Sequence, residues 1–292
     1  MARSDEAHLE AVRRLAESIG LPDAVMLVER AARQDAASLR RRAARAWDGD
    51  PQNLPVRRNT AQVRLTYALC RAVDTLEFYE QRGIDRDVFR ATMGDIALRA
   101  ELYRQSHGVL GLSMDDAVWL WHHFAARLFQ LGSLQFQLFE MFPYELMEED
   151  GYMRFEAETK HRIPEGTPLI NVHIPVRADL SPEACETSFS RAKAFFSEHF
   201  PEHRARAFFC FSWLLYPGME QLLQKECNIR RFASRFHIIG ISDDAGQALQ
   251  RIYGKRNRDR ADYPRDTTLQ RAAWERRDCL GEACGVIEWS EE

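Results

Sequence analysis

Apolar residues in the first part of the chain return at helical spacing. Leu9, Val12, Leu15 and Ile19 recur near the 3.6-residue period, and Gly20 and Pro22 then break the pattern. A second stretch, rich in Ala and Arg, predicts a helix to about Trp47. Residues 48–55 carry Gly49, Pro51 and Pro55 and predict a loop, because proline withholds an amide and clashes with the preceding turn. Val63, Tyr67, Cys70, Val73 and Leu76 form the stripe of a third helix, which stops at Gly83. Asp85 is placed to cap a fourth, extending to about Gln105. Ser113, with Asp115 and Asp116 after it, marks another helix start: its hydroxyl can accept the amide three residues on, and the acids offset the positive end of the dipole. Leu112 and Ala117 stand where a hydrophobic staple packs. His122 and His123 follow. Adjacent helix positions point about 100° apart, so the expectation is one buried and one exposed ring rather than a ligand pair.

Near residue 127 the period changes. Leu134, Phe136 and Leu138 alternate with Ser133, Gln135 and Gln137, the two-residue repeat of a half-buried strand. Gly132 just before it permits a bulge or a close backbone approach. A short strand is expected from Tyr152 to Glu158, then a turn at Pro164-Glu165-Gly166. A strand from Pro168 to Ile174 turns Ile170, Val172 and Ile174 one way and Asn171 and His173 the other. The pattern continues with a polar loop, a helix from Pro182 to His199, a strand from Ala207 to Leu214, a helix over about 217–225 and a strand from Phe236 to Ile241. Ser181 is a good N-cap, Pro182 suits the first helical position, and Glu183 meets the positive end of the dipole. The buried face of that helix reads Cys185, Phe189, Ala192, Phe196 and Phe200. Free amides at its start, beside Arg177, would suit a pyrophosphate. The expected fold class is α+β: an all-helical domain over 1–126, then a mixed-sheet domain flanked by helices over 127–292.

Composition narrows the classes. At 292 residues, with 45% hydrophobic and 29% charged, the chain has room for two modest globular domains. A formal net charge of −4 and no aromatic-basic interleaving argue against a nucleic-acid or membrane-surface binder. No apolar run approaches the ~20 residues that span a bilayer. The N-terminus begins with charge rather than an apolar signal core, so a cytoplasmic location is expected. Six cysteines then read as reduced thiols. No metal site is expected: Cys279 and Cys284 form a single pair with no second pair or nearby histidine, and Pro201 separates His199 from His203.

Five segments resemble a known family. Leu128-Phe129-Gln130-Leu131-Gly132-Ser133-Leu134-Gln135-Phe136 resembles the F-R-L-G-R-L-Q-F strand of bacterial acyltransferase-domain proteins. These pair an N-acyltransferase N-terminal helical domain with a GNAT-like C-terminal domain. Val172-His173-Ile174-Pro175 is similar to the family's H-I-P strand end, and Cys210-Phe211-Ser212-Trp213-Leu214-Leu215 to its C-x-S-W-L-L strand. Asn228-Ile229-Arg230-Arg231-Phe232 with Phe236, and Pro264-Arg265-Asp266-Thr267-Thr268-Leu269-Gln270-Arg271, complete the series in order. The resemblance implies a GNAT-like sheet and an acyl-CoA or acetyl-CoA co-substrate. It further implies an acyl group delivered to a small-molecule or peptide amine. The strand ending at Ile174 would bind the pantetheine arm along its exposed edge, and the helix behind Ser181 would receive the pyrophosphate.

Transfer to an amine needs a base for the ammonium proton and donors for the thioester oxyanion. His173, an imidazole with an ordinary pKa of about 6.5 on the polar face of its strand, is the candidate base or positioning group. Ser212 is the candidate to protonate the leaving thiolate or bind substrate, and Tyr216 the second proton donor. Cys210 suits a nucleophile less, since apolar surroundings raise a thiol's pKa. Asn228 would pin a turn near the cofactor cleft, and the basic run Arg251–Arg277 is placed to reach a CoA 3′-phosphate or simply to face solvent. The loop 176–181 lacks the glycines of the usual phosphate turn. That feature supports an alternative: a non-catalytic GNAT-like module that binds a ligand or partner.

Overall fold

Helical spacing in the N-terminal part becomes helix almost as written. The structure, a computed structural model, describes residues 4–254 and 262–289, in two units, Met1–Leu131 and Gly132–Glu292. In the first unit α1 (Asp5–Ser18) starts at Ser4, whose hydroxyl accepts the Ala7 amide. α2 (Val25–Arg45) is interrupted at Asp35, where the backbone turns extended and the carboxylate accepts the Ser38 amide at 2.8 Å to restart the helix. α3 (Ala61–Gln81) stops ahead of Gly83 (φ +68°), and α4 (Arg86–His107) is capped by Asp85 as expected. Ser113 accepts the Asp116 amide at 3.0 Å and opens α5 (Met114–Trp119), but Leu120 breaks the helix, and α6 (Trp121–Phe124) is a separate turn. The strand β1 (Leu128–Leu131) closes the unit and packs on α4, with the Gln130 amide bound to Thr92 Oγ1.

The two neighbouring histidines differ as predicted in one respect only. His123 is fully buried, its Nε2 3.1 Å from Asp95, which also accepts from Arg99 Nε and Trp119 Nε1. His122 is half-buried rather than exposed, because the rings of Trp119 and Trp121 each stand 5.2 Å from it.

In the second unit the elements run β2 (Leu134–Glu140), α7 (Tyr144–Glu148), β3 (Arg154–Phe155), α8 (Ala157–Arg162), β4 (Pro168–His173), α9 (Pro182–His199), β5 (Ala207–Ser212), α10 (Asn228–Ala233), β6 (His237–Ser242), α11 (Gly246–Tyr253), α12 (Thr268–Glu275) and β7 (Glu282–Glu288). Spatially the strands order β2-β4-β5-β7-β6-β3. β4 and β5 are parallel, joined by the α9 crossover, and the other ladders are antiparallel, so the sheet is mixed.

The expected strand from Tyr152 to Glu158 shrinks to β3, and α8 follows, since Ala157, Glu158 and Lys160 favour helix and no apolar alternation opposes them. The strand from Ala207 stops at Ser212 instead of Leu214: the Ser212 hydroxyl accepts the Leu214 amide at 3.2 Å and turns the chain. The helix expected over 217–225 is a tighter 3₁₀ segment, Pro217–Gln221. β7 was not expected at all, and it separates β5 from β6.

Both faces of this sheet are covered. On the α9 face Phe136, Phe189 and Phe208 meet ring to ring at centroid distances of 5.0–5.9 Å. On the other face Leu169, Phe209, Cys284 and Val286 pack under Met141, Tyr144, Met153 and Ile163. Among the described residues no helix is long and apolar enough to cross a membrane.

Candidate functional site

The parallel pair at the centre of the sheet comes apart. Its register joins Ile170 to Phe208 and Asn171 to Phe209, and goes no further. Neither strand ends there. β4 runs on beside β2, with Val172 opposite Phe136 and His173 opposite Gln135. β5 runs on beside β7, with Cys210, Phe211 and Ser212 opposite Gly285, Cys284 and Ala283. Two strands that keep their outer partners while leaving each other open a slot between them. The main-chain donors and acceptors along its edges are unspent in that ladder.

Strand parity sorts the candidate side chains. Leu169 and Phe209 belong to the core opposite α9, so Asn171 and His173 project to that side as well. Cys210 and Ser212 share parity with Phe208 and project toward α9. The sequence expectation of His173 and Ser212 in one constellation is therefore met only in part: they flank the slot from opposite faces. Ser212 is buried, 5% exposed, and its hydroxyl caps the turn behind β5. Cys210 is fully buried, and that burial pushes its thiol well above the ordinary value. Tyr216 lies beyond β5, toward β6 and β7. Its hydroxyl donates to Asp243 at 2.9 Å, and burial together with that carboxylate raises its pKa.

His173 has a partner that sequence reasoning did not name. Gln137 stands on β2, and its Oε1 lies 2.7 Å from His173 Nε2. The carbonyl accepts, so Nε2 carries the hydrogen, and in the neutral ring Nδ1 is the basic nitrogen. Gln137 is also in register with Asn171, whose buried Oδ1 has no hydrogen-bond partner among the described residues. Gln137 and Asn171 were visible as the polar members of two alternating strands. Only the β2–β4 register shows that they stand side by side.

Beyond the strand, Ile174 is half-buried and Pro175 opens a turn closed by the Ala178 amide on the Pro175 carbonyl. Arg177 occupies the position of this turn with φ +67°, where glycine is the usual residue. Its side chain is exposed beside the start of α9. Ser181 caps the helix through the Ala184 amide, and its own amide is held by Asp179 at 2.8 Å. Two of the donors at this end are thus used within the loop. Arg235, also missed, reaches the same end: it donates to the Pro182 carbonyl and to Glu186. Asn228 does not cap a turn; it is the exposed first residue of α10, a helix with no side-chain cap. Part of the basic run Arg251–Arg277, residues 255–261, lies outside the described residues.

The family model for the GNAT-like C-terminal domain matches residues 128–283, and that for the N-acyltransferase N-terminal domain matches residues 1–126. No curated protein matches the sequence. Among solved structures, a mutant acyltransferase in complex with octanoyl-CoA aligns at TM-score 0.70 and 22% identity, covering 99% of this chain and 90% of that one. An acyltransferase in complex with CoA and 10C-teicoplanin aligns at TM-score 0.70 and 21% identity, over 96% and 88%. One in complex with decanoyl-CoA and teicoplanin aligns at 0.66 and 23%, over 99% and 90%. These likenesses establish a shared fold.

Proposed function

The chain belongs to the GNAT-like C-terminal domain family, and from that premise we propose that it moves an acyl group from acyl-CoA to the amine of a small molecule or peptide. Residues 1–126 form the N-acyltransferase N-terminal-like domain in this reading, and residues 127–292 the transferase domain. The observation that carries it is the parting of β4 from β5 while each keeps its outer ladder. Such a slot takes an extended carrier whose amides pair with the strand edge at Ile174, and it leaves the thioester next to His173. Acyl-CoA complexes of the structural neighbours support the same ligand.

The roles follow from placement. His173, oriented by Gln137, takes the proton from the attacking nitrogen. Nitrogen bonds to the acyl carbon, the carbon–sulfur bond breaks, and the thiolate takes a proton passed by Ser212 from the opposite face, which solvent restores. Tyr216 stands as the second donor, engaged with Asp243 until substrate enters. Arg177, Ser181 and Arg235 surround the start of α9, where the pyrophosphate charge would lie, with Asn228 on the neighbouring α10.

One observation favours a second reading, a non-catalytic ligand- or partner-binding module. The turn before α9 places an arginine where glycine fits best, and it uses its own Asp179 and Ser181 as caps. The test is a binding and transfer series with acetyl-CoA, octanoyl-CoA, decanoyl-CoA and free CoA. Saturating acyl-CoA raises the thermal midpoint by mass action, and mass spectrometry detects acylation of a primary-amine panel that includes teicoplanin. Binding without transfer supports the module. No binding by any of the thioesters or by CoA refutes both the transferase and the CoA site.

A further inference from the structure

We propose that Asn171 is a substrate-binding residue, whose side-chain carbonyl receives an N–H of the acceptor amine and sets that nitrogen beside His173. The inference rests on the acyl-transfer reading above. Three observations carry it. Asn171 Oδ1 is buried and, among the described residues, has no hydrogen-bond partner. A buried acceptor left unpaired destabilises the ligand-free fold, so its presence beside the apolar Leu169, Phe209 and Met153 calls for a donor other than the described residues. Asn171 also belongs to the last register pair before β4 and β5 part, so its side chain stands at the root of the slot. Finally, it shares its face with His173 two residues on and is in register with Gln137, which orients that imidazole.

The missing partner must be a hydrogen-bond donor, because the orphan atom is a carbonyl oxygen. The reaction offers two kinds of N–H, the pantetheine amides of the co-substrate and the acceptor amine. Pantetheine lying in the slot meets main-chain groups in the plane of the sheet. A group reaching Asn171 comes from the side face that carries His173, and the nitrogen that gives His173 its proton must come from there too. The geometry thus assigns the contact to the acceptor.

Asn171→Leu, of similar volume and apolar, and Asn171→Asp, which keeps the acceptor oxygen, test this in the full chain. Three measurements are made with decanoyl-CoA and the best amine of the panel: the thermal midpoint without ligand, the Kd for decanoyl-CoA, and KM and kcat for the amine. Asn171→Leu should keep or raise the ligand-free midpoint, leave the decanoyl-CoA Kd within twofold, and raise the amine KM about tenfold or more, the effect of a lost charge-assisted hydrogen bond. Asn171→Asp should hold the amine KM within about threefold. An unchanged amine KM in Asn171→Leu overturns the proposal. So does a weakened decanoyl-CoA Kd, which hands the contact to pantetheine, or a lowered midpoint, which makes Asn171 structural. Failure of the unsubstituted protein to acylate any amine overturns the transferase reading and this one together, and is recognised before a substitution is made.

Discussion

Replacing Gly132 by alanine tests how the helix that leads from the slot is held. Gly132 adopts φ +77°, a conformation that costs an L residue about 1–2 kcal/mol. A Cβ built there would lie 2.4 Å from Ser188 Oγ and 3.3 Å from Ser188 Cα. Ser188 is fully buried on α9 and cannot swing into solvent. Its hydroxyl receives the Ser133 amide at 2.9 Å and donates to the Ala184 carbonyl at 2.7 Å. The intruding methyl therefore displaces the Ser133–Ser188 bond, at about 1 kcal/mol, or pushes α9 away from the start of β2. The sum is about 2–3 kcal/mol, which for a unit of this size lowers the thermal midpoint by roughly 4–12 °C. Calorimetry or urea unfolding reads the loss. Ser188→Ala in the Gly132→Ala background removes the nearest clashing atom but leaves the backbone strain, so the double variant should be less damaged than the sum of the singles by about 1 kcal/mol. Strict additivity, or a Gly132→Ala cost below about 0.5 kcal/mol, refutes the close approach as the reason for glycine here. Weaker decanoyl-CoA binding by Gly132→Ala would tie the position of α9 to the proposed phosphate end.

Other expectations follow from the same geometry. His173→Ala should lower kcat at least a hundredfold while leaving the acyl-CoA Kd within a few fold, and retention of full activity removes His173 as the base. Gln137→Leu, which frees the imidazole tautomer, should displace the pH–rate profile without abolishing folding; an unmoved profile shows that Gln137 only fills space. Burial, then the nearby His123 and Arg127, hold His122 down to about 4, against an ordinary 6.5. Its charged form is disfavoured in the fold, so stability present above pH 6.5 is lost as the pH falls toward 4. The stability gap between the natural protein and His122→Gln should therefore move in the variant's favour by about 3 kcal/mol from pH 7 to pH 4, and a constant gap refutes the burial argument. Of the six cysteines only Cys227 is not buried, so a thiol reagent should titrate one group in the folded protein and six after unfolding, with Cys227→Ser removing the fast one.

Much of the scaffold was legible in the chain. Ser113, Asp85 and Ser181 marked helix starts because a capping hydroxyl or carboxylate acts within three residues, and local chemistry is what a sequence displays. The helix Pro182–His199 was read to the residue for that reason. Gly132 announced a close approach without saying to what. Where the reading failed, a contact that periodicity does not display decided. Ser212 ends β5 by capping its own turn, and β7 takes its place between β5 and β6 through partners more than thirty residues away in the chain.

What the sequence determined by itself was the alphabet of elements, their caps, the parity of side chains along each strand, and the order of motifs that resembles a transferase family. Tertiary structure alone decided that β4 and β5 separate after two register pairs, that His173 and Ser212 lie on opposite faces of that gap, and that Gln137 and Asn171 stand together beside the imidazole. Periodicity fixes which way a side chain points relative to its own strand. Strand register and pairing order fix what it points at, and both are set by packing between residues far apart in the chain.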